Sequence, residues 1–408
     1  MTAPRPASVD WLTPNYPWDG DPIPGSFHRT QARAVVRAGL PVRVVAPIPF
    51  APFPLPRLNE RWRRYARAPA RQSDEGVDVV RPRYPAVPGE PAWAQVSRSV
   101  AGAAWRAMGR DHAPLIHAHF VVPSAMAAHR LWQRHALPYV VTVHGHDATS
   151  WPAAHADRLG EYLGALRDAA IVMTVSGALA TKIRDLSGVD AVTLPLGVDH
   201  ARLTSLRQPR DVARRTLGLQ PDRTVVLFVG RLVPHKGVRE FVEAMLALES
   251  PFLGVLVGEG PLAGHRGDES RATDRVRYIG GQDAAGVATW MSASDMLVLP
   301  SYQEGLPTVL VEAGSHGLPV IASPVDGTPE LLGTDRGLLL PRIDAAAIAE
   351  AVHAVIDDPA AAAERARRLA THVREGYDVD RNARRLIDIY GAVVDGRRGL
   401  DAVGGLAS

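Results

Sequence analysis

Mostly apolar runs of four to six residues recur along this chain, and segments with a polar face and a helical period separate them. Residues 9–12, 42–47, 77–80, 115–119, 139–143 and 171–175 read as strands in the first half. In the second half, 224–229, 253–257, 276–279, 296–299 and 320–322 do the same. Between them, 26–38, 96–108, 124–136, 158–168, 177–186, 212–217, 239–248, 287–293, 345–356 and 380–394 carry the 3.6-residue period of helices. Strand and helix in alternation, joined by short loops, predict an α/β protein with parallel sheets. A chain of 408 residues exceeds one ordinary core, so two domains of about 200 residues each are expected. Residues 48–100 interrupt the rhythm with two proline-dense stretches, 47–56 and 82–91.

The composition removes several classes of function. No cysteine is present, which excludes disulfides, thiolate metal sites and a cysteine nucleophile. Formal net charge is only +3, so no nucleic-acid partner is expected. The first residues lack a basic start followed by an apolar stretch, and no apolar run reaches 18 residues; a cytoplasmic protein is the expectation. One local basic cluster stands out: Arg57, Arg61, Arg63, Arg64, Arg67 and Arg71, with Leu58, Trp62 and Tyr65 at helical spacing. A helix of that kind can lie on an anionic membrane, or pack its apolar stripe on the core with the arginines in water.

Candidate chemistry concentrates in two stretches. In residues 301–332, Glu304 and Glu312 stand eight apart around an expected helix start near Thr308. Pro307 suits a first helical turn, Gly305 permits close backbone approach, and Gly314, Gly317 and Pro319 stop the helix. A helix N-terminus favours anions, whereas carboxylates accept hydrogen bonds from hydroxyls. A ligand with both groups is a nucleotide sugar. The second stretch is Gly230-Arg231-Leu232-Val233-Pro234-His235-Lys236-Gly237, a glycine-bearing turn with two cations between strand and helix. That arrangement binds phosphate, with Arg as a bidentate fork and Lys as a point charge. Two H-x-H pairs, His117/His119 and His144/His146, carry metal-ligand chemistry and make a metal-dependent hydrolase the alternative of another class. The Asp19-Gly20-Asp21 triplet reads as a turn rather than a metal-binding acid pair.

These motifs together resemble the retaining glycosyltransferases of family 4. EGLPTVLVE, from Glu304 to Glu312, is similar to that family's E-x7-E element, and GLPVIAS, GTPELL, GRLVPHKGV, TVHGHD, VSGALA and PLGVD resemble further blocks. Asp326 departs from the pattern, which more often has glycine before Gly327. The resemblance implies a GT-B fold of two Rossmann-like domains facing each other across a cleft. It places an acceptor-binding domain at 1–200 and a donor-binding domain at 201–379, with the helix of 380–408 crossing back to the first. It implies transfer of a sugar with retention, from a nucleotide diphosphate sugar to a hydroxyl acceptor, with no metal required. Envelope polysaccharide or glycolipid is the first acceptor to consider, and a natural-product small molecule the second. The implied donor site comprises Gly25, Gly230, Arg231, Lys236, Glu304, Gly305, Leu306 and Glu312, with Glu312 on the ribose. His144, Arg231, Lys236 and Glu304 are implied in catalysis, and Ser26 and Asp147 on the acceptor side. An isomerase or phosphorylase on the same fold, or a non-catalytic sugar-nucleotide binder, would share the phosphate site. Front-face attack and double displacement both remain open.

Overall fold

The computed structural model describes residues 5–50, 53–54, 57, 60–85, 93–249, 251–264 and 275–402. Two compact units emerge: Met1–Leu196 with Val379–Ser408, and Gly197–Asp378.

In the first unit the strands are β1 (Val9–Leu12), β2 (Val42–Val45), β3 (Ile48–Pro49), β4 (Arg71–Asp74), β5 (Val77–Val80), β6 (Arg83–Tyr84), β7 (Ile116–His119), β8 (Tyr139–Val143), β9 (Ile171–Thr174) and β10 (Val192–Thr193). Eight of them form one sheet in the order β10-β9-β8-β7-β1-β2-β5-β4, and β3 pairs with β6 apart from it. Every pairing is parallel except β4 with β5. The central strands β1, β7, β8 and β9 are buried along their whole length, as a sheet covered by helices on both faces requires. The helix Val379–Val394 belongs to this unit: its Leu386, Ile387 and Tyr390 share one core with Val9, Trp11, Val35 and Val44.

The second unit holds β11 (Thr224–Val229), β12 (Phe252–Val257), β13 (Val276–Gly280), β14 (Met296–Leu299), β15 (Val320–Ala322) and β16 (Leu338–Leu339). Their order is β13-β12-β11-β14-β15-β16, all parallel. Numbered within the unit this is 3-2-1-4-5-6, the doubly wound Rossmann order, with its switch point between β11 and β14.

Several expectations need correction. The basic segment is helical at Arg57 and over Glu60–Arg67 and stops short of Arg71, which opens the edge strand β4; residues 58–59 lie outside the described part, as do 86–91 of the second proline-dense stretch. The turn expected at 337–341 contains β16, and the helices His146–Ala154, His200–Leu206 and Pro359–Gly376 had no counterpart in the periodicity reading. Pro152 sits inside the first of these, and the alanine-rich start of the last blurs its period. Asp19-Gly20-Asp21 is a turn, closed by paired backbone hydrogen bonds between Trp18 and Asp21.

Candidate functional site

In the second unit the chemistry gathers at the carboxyl ends of β11, β12 and β14, around the switch point. β11 runs into Gly230, whose N–H donates to Val257 O at 3.0 Å, while Leu232 N–H donates to Glu259 O at 2.8 Å. A Cβ on Gly258 would stand 1.9 Å from Gly230 O, and one on Gly260 2.3 Å from Leu232 O. Only glycine lets the two loops lie this close. A short turn, Pro234–Lys236, then leads through Gly237 into the helix Val238–Ala247. Gly237 has φ 68°, and a Cβ there would meet Pro300 O at 2.0 Å, so the cationic loop is pressed against the end of β14.

That contact brings the two stretches together. Lys236 Nζ lies 2.5 Å from Glu304 Oε1, and Ser301 Oγ donates to the same oxygen at 2.7 Å. Glu304 is buried, so its charge needs the ammonium beside it. Its backbone N–H donates to Asp326 Oδ2 at 2.8 Å, and Gly327 N–H donates to Gly305 O at 3.2 Å, which ties the Glu304 loop to the loop after β15. Asp326 adopts φ 47°, the left-handed conformation that short polar residues tolerate next after glycine. The residue that departs from the family pattern therefore keeps a glycine-like backbone and adds a carboxylate tether. Neither this tether nor Ser301 was singled out in the sequence; the αL preference of Asp before Gly327 was the available signal.

Helix Thr308–His316 begins where its sequence predicts, with Leu306 buried ahead of it and Glu312 in its second turn. Among the described residues the Glu312 carboxylate has no hydrogen-bonding or ionic partner, and burial pushes its pKa up to about 7. Arg231 is exposed and makes no ion pair among the described residues. A fork-shaped cation and a carboxylate thus stand without partners on either side of the Lys236–Glu304 pair in sequence.

The first unit carries the remaining predicted residues. Gly25, with φ 79°, caps the helix Ser26–Arg37, and a Cβ there would meet Asn15 O at 2.5 Å. Ser26 opens the helix and is exposed. His144 follows β8, and Asp147 holds its loop: Oδ1 accepts from His144 N–H at 3.1 Å and Gly145 N–H at 2.9 Å, and Oδ2 accepts from Val121 N–H at 3.0 Å. Asp147 is buried and occupied in this work. Burial holds His144 and His119 well below the ordinary imidazole range, so both are neutral at pH 7. The two H-x-H pairs do not act as pairs. His117 is taken by Tyr390 OH at 2.6 Å and Thr142 Oγ1 at 2.7 Å, and His146 is exposed at a helix start. His119 and His144 meet instead, Nδ1 to Nε2 at 3.2 Å, with His28 beside them.

Two doubly wound units, one with a cationic glycine loop and two carboxylates at its switch point, make the GT-B fold. Residues 26–202 match the model of Glycosyltransferase Family 4, and residues 223–358 that of glycosyl transferases group 1. A Bacillus subtilis glycosyltransferase assigned to teichuronic acid biosynthesis, TuaC, is 35% identical over 94% of this chain and 98% of its own. The chain belongs to glycosyltransferase family 4. Similar folds include sucrose-phosphate synthase from Thermosynechococcus elongatus (23% identity, TM-score 0.79, 95% of this chain and 99% of that one). Anabaena HepE, solved with UDP-glucose, is another (19% identity, TM-score 0.67, 93% and 98%).

Proposed function

We propose that this protein transfers a sugar, with retention and without a metal, from a nucleoside diphosphate sugar to a hydroxyl of a cell-envelope polysaccharide or glycolipid precursor. The observation that carries the reading is the switch-point set: Lys236 paired to buried Glu304, with Arg231 and Glu312 unpartnered among the described residues. The likeness to TuaC over nearly the full length supports an envelope acceptor.

In this reading Arg231 and Lys236 neutralise charge that grows on the diphosphate as the bond from its oxygen to the anomeric carbon breaks. Glu312 accepts hydrogen bonds from the ribose hydroxyls, and Glu304 from the donor sugar. By family likeness Gly25 serves the donor phosphates and Ser26 the acceptor, and Gly230, Gly305 and Leu306 line the donor site. His144, neutral, offers a lone pair rather than a positive charge to the oxocarbenium-like centre. The acceptor oxygen bonds to the anomeric carbon on the face the diphosphate leaves, and its proton passes to the departing phosphate oxygen. Asp147 acts through the His144 loop.

The test is thermal unfolding of the full chain against UDP, GDP, ADP and dTDP with and without chelator, then turnover with the matching sugar nucleotide. A ligand at 100 times its Kd adds about 2.7 kcal/mol, a shift of several degrees. One diphosphate that stabilises regardless of chelator, and an α-linked product from an α-linked donor by NMR, support the reading. Turnover abolished by chelation would end the metal-independent part, and an inverted product the retaining part. A second reading, a soluble small-molecule acceptor, is favoured by a Streptomyces avermitilis D-inositol 3-phosphate glycosyltransferase, 32% identical over 46% of this chain. Product analysis with both acceptor types separates the two.

Peripheral membrane contact belongs with the envelope reading. Phe53 is 74% exposed with Arg57 stacked 5.0 Å over its ring, and Arg61, Arg63, Arg64 and Arg67 are exposed on the helix Glu60–Arg67. Among the described residues no helix is long and apolar enough to cross a membrane. Cosedimentation with anionic but not neutral vesicles, lost on replacing these four arginines by Gln, is the expected result.

A further inference from the structure

Three histidines from three different segments converge in the first unit: His28 from the helix Ser26–Arg37, His119 from the end of β7, and His144 from the loop after β8. One nitrogen of each lies within 4.8 Å of the others. His28 and His119 are fully buried. Each of the three carries a buried nitrogen with no hydrogen-bond partner: Nε2 of His28, Nε2 of His119 and Nδ1 of His144. A single orphan of this kind costs about 1–3 kcal/mol, so the cluster is under-satisfied as it stands.

The tautomer of His28 is set by its neighbours. Its Nδ1 lies 3.0 Å from Asn15 O, a group that can only accept, so Nδ1 carries the proton and Nε2 presents a lone pair. A carbonyl holding the far nitrogen is the support that metal-ligating histidines ordinarily have. His119 Nδ1 and His144 Nε2 are 3.2 Å apart. A tetrahedral ion with metal–nitrogen bonds of 2.0–2.1 Å holds its ligand nitrogens about 3.3 Å apart. That pair is already spaced as two ligands of one ion, and with one nitrogen of each ring within 4.8 Å of the others, His28 can supply the third donor through Nε2. Trp11, Phe27 and Phe120 pack against these rings and provide an apolar wall.

We propose that His28, His119 and His144 form a site for a borderline transition-metal ion such as Zn2+, and that its occupancy switches the enzyme off. Neutral imidazoles with no carboxylate among them suit zinc rather than magnesium or calcium. The switch half rests on the transferase reading above, because ligation ties up the His144 side chain; the binding half does not.

The full chain, stripped with a chelator, is titrated with Co2+ and then Zn2+ in the absence of any nucleotide. Expected are one equivalent of bound Co2+ with the intense visible band of a tetrahedral nitrogen site, loss of that band on adding Zn2+, and a raised Tm. His28→Gln and His119→Gln lose the band; His146→Ala, at an exposed histidine outside the trio, keeps it. No saturable binding by the unaltered chain, or a band unchanged in His28→Gln, overturns the site. With donor and acceptor present, saturating Zn2+ lowers turnover by about 100-fold, the scale of one positioned catalytic group. Binding without that loss overturns the switch and leaves the site standing. A protein that binds Zn2+ but turns over no sugar nucleotide overturns the transferase reading alone.

Discussion

At Glu312 stability and the proposed ribose contact pull in opposite directions. Its pKa is raised by burial to about 7 from an unfolded value near 4.5. Between those values the folded state holds a proton that the unfolded state has released, so stability falls as pH rises from about 4.5 to about 7 and stays reduced above it. Glu312→Gln removes that cost: a gain of about 2 kcal/mol at pH 8, read as a higher Tm, together with weaker binding of the diphosphate. In the unaltered protein, diphosphate affinity measured by calorimetry declines as pH drops below about 7, because the protonated carboxyl loses acceptor capacity. A variant no more stable at pH 8 than the parent would show that Glu312 is not strained by burial. Arg231 makes the opposite case. Being exposed, it contributes little to the fold, so Arg231→Ala leaves Tm nearly unchanged while turnover falls by about 100- to 1000-fold. Near-normal turnover in that variant would remove Arg231 from the leaving-group site.

At the scale of elements, the site depends on backbone approach as much as on side chains. Gly237→Ala places a Cβ against Pro300 O in a left-handed backbone, and a loss of about 2 kcal/mol or more is expected by denaturant unfolding. Asp326→Ala removes the acceptor of the Glu304 N–H, and raises the donor KM about tenfold with a smaller change in kcat if the tether positions Glu304. Most of this element chemistry was legible in the chain. Strand, glycine turn with Arg231 and Lys236, and the helix start at Thr308 each follow from local spacing, and the structure has those elements where the spacing puts them. What was not legible depends on contacts between distant segments. Nothing near Lys236 announces Glu304 as its partner, 68 residues away. The H-x-H spacing suggested His117 and His146, yet the trio takes one histidine from each pair and draws the third, His28, from a helix more than 90 residues before His119. Local period was equally uninformative for β4, a polar edge strand reading Arg-Gln-Ser-Asp.

At the scale of the whole molecule, the units differ in how their chain segments are collected. The second is continuous from Gly197 to Asp378, whereas the first needs the helix Val379–Val394 to complete its core. Tyr390, fully buried, donates to or accepts from His117 across 273 residues of sequence. Ending the chain at Asp378 would open the face of the first unit against which Leu386, Ile387 and Tyr390 pack. Such a truncation is expected to abolish the cooperative melt of the first unit while the Gly197–Asp378 unit still unfolds as one transition, which calorimetry would resolve.

The same division sets an order on biosynthesis. A ribosome delivers residues from the N-terminus, so Gly197–Asp378 is fully emerged and able to fold while the first unit still waits for its last helix. The half made first is therefore the half finished last, and until that helix emerges it exposes the apolar groove around Trp11 and Val35 that Val379–Val394 will fill. Nascent chains stalled before residue 379 should be the ones that chaperones hold.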